Sequence, residues 1–242
     1  MAGSRALEEG ETRRRGFKSR VYSAENPARS TKKKERMESP VKIIVVTGTP
    51  GTGKTEISRI LSERLGCRHI ELSKLSRERG FISGYDDERG TWIVNLEKIR
   101  RYIKDLSSEP NSPYIVLDGH IAHLVSPKAE TKLMFVLRCR PDELERRLRE
   151  RGYPDKKVNE NVLSELLDVV LLEALGRFPE EIICEIDTTG RDGVEVVDEM
   201  LSIIEGKKRK RLGEIDWIGA LSDNGRILDL LKRIEGGGPR FS

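Results

Sequence analysis

The sequence predicts an α/β fold, a parallel sheet covered by helices on both faces. Three observations predict it. Five short apolar runs recur between residues 41 and 205. Stretches of helical periodicity separate them, and β-branched runs joined by helices imply parallel strands. Polar clusters follow the first, third and fourth runs, and such sheets bind ligands at the carboxyl ends of their strands.

The first strand is 42–47 (KIIVVT), and helical periodicity resumes at 54–65. The second apolar run is 67–71 (CRHIE), and a helix over 95–107 leads to the third strand. That strand, 114–118 (YIVLD), halts on Asp118, Gly119 and His120. Asp-Gly is a common turn dipeptide, so the acid has a purely structural reading as well as a chemical one. The fourth strand, 132–137 (KLMFVL), precedes a helix over 141–151 that starts at Pro141 and is broken by Gly152 and Pro154. A helix over 158–176, a strand at 182–186 (IICEI) and a helix over 193–205 complete the alternation.

The chain has 242 residues, enough for one sizeable core, and a formal net charge of +4. Residues 1–40 hold eleven Lys/Arg against six Asp/Glu, which leaves residues 41–242 at about −1. The body is therefore not a nucleic-acid-coating domain, and any weak RNA contact belongs to the basic tails. Residues 1–40 have little apolar periodicity and are expected to be disordered. Met37, just before the first strand, is a second candidate start, in which case the tail is not part of the natural protein. Residues 206–242 read as a basic linker, GKKRKR, followed by an amphipathic extension. No apolar stretch approaches the ~20 residues that span a bilayer, and the N-terminus has no apolar signal core. Cys67, Cys139 and Cys184 are odd in number and widely spaced, as expected of free thiols in a reducing, cytoplasmic setting.

The stretch Gly48–Thr55, GTPGTGKT, stands between the first strand and the first helix. It matches G-x-x-x-x-G-K-[ST] in the strand–loop–helix context that this motif requires. Glycines let main-chain N–H groups turn towards phosphate oxygens where side chains would clash. The helix start adds unsatisfied amides and the positive end of its dipole. Lys54 would reach the β- and γ-phosphates, and Thr55 would offer a hydroxyl to Mg²⁺. A P-loop NTPase fold follows, and with it a use for Asp118: a carboxylate at a neighbouring strand end that reaches the metal directly or through water.

Five stretches in order, TGTPGTGKT, SGYDDERGTWIVN, LDGH, RERGYPDKKVNENVLSE and the Glu-Glu before the last strand, span about residues 41–205. Through them the chain resembles the adenylate-kinase-like nucleoside monophosphate kinases. Within that group it is similar to the family of the coilin-interacting nuclear ATPase and the archaeal proteins named as putative adenylate kinases. The resemblance implies five parallel strands, a monophosphate-binding segment at about 73–96 and a short lid at about 150–160. It also implies that Gly51, Gly53, Lys54, Thr55, Glu56 and the lid's Arg151 line the ATP site, with Asp187–Arg191 beside the adenine. Lys54, Asp118, His120 and Arg151 are the candidate catalytic residues, and Thr55 and Asp118 the candidate metal-holding pair. Tyr85, Asp86 and Arg89 are acceptor candidates, and Arg138 and Arg140 are placed near the acceptor phosphate.

One departure matters. Ordinary adenylate kinases follow the third-strand acid with a Pro-Arg pair whose arginine helps hold AMP, whereas Ile121 and Ala122 stand here. His120 instead lies two residues past Asp118, where an imidazole can bond a phosphate oxygen, orient water or support the turn. Two readings stay open. One is an adenylate kinase, ATP plus AMP to two ADP, with associated ATPase activity and, as the resemblance implies, a part in maturation of the small ribosomal subunit. The other is an ATP-driven assembly switch with little kinase activity. In that reading it releases the family's partner, ribosomal protein uS11, from the maturing small-subunit particle.

Overall fold

The computed structural model describes residues 41–87, 91–108, 113–223 and 225–236. Five parallel strands form the main sheet: β1 (Lys42–Gly48), β2 (Arg68–Glu71), β5 (Tyr114–Asp118), β6 (Thr131–Arg138) and β7 (Ile183–Asp187). Their order is β2-β5-β1-β6-β7, with β1 at the centre. A separate antiparallel pair, β3 (Ile82–Asp86) and β4 (Thr91–Val94), branches off between β2 and β5.

Alternation sorts the strand residues to two faces. Ile43, Val45, Ile115, Leu117, Met134 and Val136 point to one core, packed with α3 (Leu96–Ser107), α4 (Ala122–Val125) and α7 (Val169–Leu175). Ile44, Val46, Val116, Leu133, Phe135 and Leu137 point to the other, beneath α1 (Lys54–Leu65) and α8 (Gly193–Ile204). Both sheet faces are dry, which is why the strands read as nearly continuous apolar runs.

A third core lies beside the sheet. Leu144 and Leu148 of α5 (Pro141–Glu150) meet Val158 and Val162 of α6 (Asp155–Leu166) there. Trp217 and Leu221 of α9 (Trp217–Asp223) and Leu230 of α10 (Arg226–Gly236) close it. The C-terminal segment is thus folded onto the body. Its basic run is tied down: Lys208 and Arg211 both reach Glu199 at 2.6 Å, and the Glu185 N–H donates to the Arg211 carbonyl at 2.8 Å.

The predicted helix over 158–176 is two helices. Asp168 has φ 56°, the one non-glycine residue with positive φ among those described, and the chain turns there between α6 and α7. A short α2 (Leu72–Glu78) follows β2 directly. No helix among the described residues is long and apolar enough to cross a membrane.

Candidate phosphate-binding site

The parallel register brings the sheet's carboxyl edge together: Val46 pairs with Asp118, and Gly48 with Leu137. The loop Gly48–Gly53 leaves that edge into α1. Two glycines in it are dictated by space as well as by conformation. A Cβ on Gly48 would collide with the Leu137 carbonyl oxygen, and one on Gly51, at φ 97°, would sit 2.7 Å from Leu144 Cδ1. No side chain caps α1 at Gly53. The N–H groups of its first turn, which have no acceptor within the helix, are left to face an anion.

Thr49 organises the loop. Its carbonyl accepts from Lys54 Nζ at 2.9 Å, from Thr52 Oγ1 at 3.0 Å and from the Thr52 N–H at 3.3 Å. Its hydroxyl donates to Glu165 Oε2 at 2.6 Å. Among the described residues this neutral carbonyl is the Lys54 ammonium's acceptor. Burial lowers its pKa to about 8, the nearby Arg151 guanidinium pushes the same way, and the Asp118 and Glu165 carboxylates partly restore it. A polyanion placed beside Lys54 would remove that penalty.

Asp118 closes β5, is 1% exposed, and lies 3.3 Å from His69 Nε2 on β2. His120 sits at the mouth of the site with an exposed edge. Its imidazole is held neutral, at about 4, by the surrounding protein first and the Lys54 ammonium second. His123 is wholly buried: Nδ1 is 2.9 Å from Thr47 Oγ1 and Nε2 is 2.9 Å from Glu173 Oε2. It pins the short α4 after the Asp-Gly-His turn to β1 and α7, so its work is packing.

A cleft of about 330 Å³ opens beside the loop, lined among others by Thr52, Gly53, Glu56, Arg147, Arg151 and Arg191. Its arginines differ in their partners. Arg147 bonds Glu143 and the Thr188 carbonyl, and Arg191 bonds Glu199; Arg149, outside the lining, bonds Glu145 and Asp155. Arg151, at the C-cap of α5, forms no ion pair among the described residues and is exposed to the cleft. The structure therefore brings Gly51, Gly53, Lys54, Thr55, Glu56, Asp118, His120 and Arg151 to one edge.

Arg138 is a correction. The basic residue ending β6 does not face an acceptor phosphate. It is 2% exposed and bonds Glu165 at 2.9 Å, Glu185 and Asp168. A guanidinium at the end of an apolar strand satisfies three carboxylates more cheaply than it could remain unpaired in the core. Arg140 is partly exposed and bonded to Asp142. Tyr85 stacks edge-on with Trp92 across the β3–β4 pair, ring centroids 4.8 Å apart, and both rings are exposed. Arg89 lies outside the described residues.

Sequence reading assigned no role to His69 or Glu165. Nothing local marks them, because each acquires its partner only through strand order or helix packing. Among the described residues no group of three or more His, Cys, Asp or Glu could cage a metal. The Thr55 hydroxyl and Asp118 carboxylate are hard oxygen donors, which suits Mg²⁺, an ion that keeps waters and takes substrate phosphates as its other ligands.

A central strand, a glycine loop wrapped on a helix start and a carboxylate on the adjacent strand define a P-loop nucleotide-binding protein. A family model described as "AAA domain" matches residues 44–168. The chain is 38% identical over 174 residues to "Putative adenylate kinase" of Methanocaldococcus jannaschii, covering 72% of this chain and 92% of that one. It is 39% identical over 175 residues to the protein of the same name from Pyrococcus furiosus, covering 72% and 91%. Shikimate kinase from Bacteroides thetaiotaomicron aligns at 20% identity and TM-score 0.46, over 68% of this chain and 98% of that one. The protein belongs to the adenylate-kinase-like family formed by these archaeal relatives.

Proposed function

We propose that the protein is an adenylate kinase that moves the γ-phosphoryl group of ATP to AMP, with slower hydrolysis of ATP when no acceptor is bound. The observation that carries this is the pairing pattern of the cations. Lys54 and Arg151 are the two at the loop without a carboxylate partner among the described residues, while the neighbouring arginines are all engaged.

Phosphoryl transfer demands positioning and charge neutralisation more than acid–base work. In this reading the loop amides and Lys54 hold the β- and γ-phosphates. Arg151 sits at the turn between α5 and α6, the proposed lid at about 150–160, and braces the transferring oxygens from the opposite side. Thr55 and Asp118 would hold Mg²⁺, directly or through water, and the ion would supply charge neutralisation for the phosphates. His69 keeps the Asp118 carboxylate aimed at it. Neutral His120 is suited to bond a phosphate oxygen or a water and is not a proton reservoir at neutral pH. The loop Asp187–Arg191 flanks the adenine. The acceptor enters over residues 73–96, where the β3–β4 pair offers Tyr85 and Asp86.

A specific observation favours a second reading. Where other adenylate kinases place the AMP arginine, this chain has Ile121 and buried Ala122. The protein as an assembly switch, hydrolysing ATP to release uS11 during small-subunit maturation in the cytoplasm, needs no such arginine. A coupled ADP assay separates the two. Stimulation of ATP turnover by AMP, dAMP or CMP supports the kinase. Stimulation by purified uS11 alone, with no response to any monophosphate, replaces it with the switch.

A further inference from the structure

The glycine loop is not a free-standing device, because its anchor is held from the far end of the chain. Thr49, whose carbonyl fixes Lys54, is itself fixed by Glu165 Oε2 at 2.6 Å. The other oxygen, Glu165 Oε1, accepts from Arg138 Nε at 2.9 Å, from the Cys139 N–H at 3.1 Å and from the indole Trp217 Nε1 at 3.0 Å. Glu165 and Trp217 are both buried, at 2% and 8% exposure, so no water competes for these bonds. The structure assigns Trp217 a positioning role: its N–H sets the Glu165 carboxylate that sets Thr49, and thereby the ammonium of Lys54.

A second contact runs in parallel. Leu144 and Leu148 pack against Gly51 on one side and share a core with Trp217, Leu221 and Leu230 on the other. The segment beyond residue 206 thus backs the loop twice, once by a polar relay and once by packing. It also grips α5 and α6 around the Arg151 turn: Arg233 Nη2 reaches Glu145 at 3.2 Å, and Asn159 Nδ2 donates to the Ile234 carbonyl at 2.9 Å. Residues 207–236 are therefore part of the working site, an extension whose displacement would slacken both cations that face the phosphates.

The inference rests on the loop binding ATP, and the experiment keeps the two apart. The chain has two tryptophans, Trp92 and Trp217, so the full-length Trp92→Phe variant reports on Trp217 alone. Titration with Mg-ATP should change Trp217 emission saturably, at the half-saturation found for a fluorescent ATP analogue on the same sample. Thr49→Val, which keeps shape and removes the hydroxyl, should leave Trp217 silent at the higher Mg-ATP concentration that saturates this variant. Trp217→Phe, which keeps an aromatic ring but loses the indole N–H that donates to Glu165, should lower turnover about tenfold when assayed well below the variant's own, reduced melting temperature. Analogue binding with no Trp217 response, or wild-type turnover in Trp217→Phe, overturns the relay while leaving the loop assignment intact. Failure of the analogue to bind overturns both.

Discussion

Lys54 is the residue on which most of the chemistry converges. Its ammonium has a main-chain carbonyl as partner and no ion pair among the described residues, so Lys54→Ala removes transition-state charge without orphaning a buried carboxylate. Turnover should fall by more than about a hundredfold at an unchanged melting temperature; near-normal turnover contradicts its role. Cys139 is the opposite kind of residue, inert because it is enclosed. Burial pushes its thiol up to about 12 from an ordinary 9. Above pH 9 the unfolded chain loses that proton first, so rising pH favours unfolding there. At pH 8 the native thiol should resist iodoacetamide until denaturant is added, and rapid alkylation of the native protein contradicts the packing described. The glycines, Lys54 and Thr55 were legible in the sequence because they are contiguous and their spacing is the mechanism. Glu165, His69 and Trp217 were not, since their partners lie 116, 49 and 52 residues away along the chain.

At the level of elements, all five strands and the helices over 54–65, 95–107, 141–151 and 193–205 were visible, because two dry sheet faces and amphipathic helices write strong periodicities. The stretch 158–176 misled because its apolar spacing continues through Asp168, while the backbone there turns left-handed at φ 56°. An aspartate tolerates that conformation better than most residues, and its carboxylate also meets Arg138. Asp168→Ala loses both and should destabilise by about 1–3 kcal/mol. Asp168→Gly loses the ion pair equally but keeps the backbone freedom, so it should melt at a higher temperature than Asp168→Ala; the reverse order would contradict the account of a left-handed turn that disfavours a side chain. The β3–β4 pair escaped notice because Tyr85, Trp92 and Ile93 are exposed, and a strand without a buried face carries no alternation.

For the whole molecule, charge and packing divide the chain differently from what composition suggests. The surplus of basic residues is confined to residues 1–40, whereas the second basic run, at 207–211, is anchored by Lys208 and Arg211 on Glu199. The amphipathic character of the C-terminal extension was evident, but its seat beside α5 and α6 was not, since periodicity gives a face and never its partner. Removing residues 1–36 should leave AMP-dependent turnover unchanged in the coupled assay, and a large loss would mean that the tail contributes to the site. The central claim, that the γ-phosphoryl group is transferred and not merely released, has a direct test. ATP labelled with ³²P at the γ-position is incubated with AMP, Mg²⁺ and the full-length protein, and the products are separated. The account predicts label in the β-phosphate of ADP, lost in Lys54→Ala. Label found only in inorganic phosphate, at a rate indifferent to AMP, would contradict it.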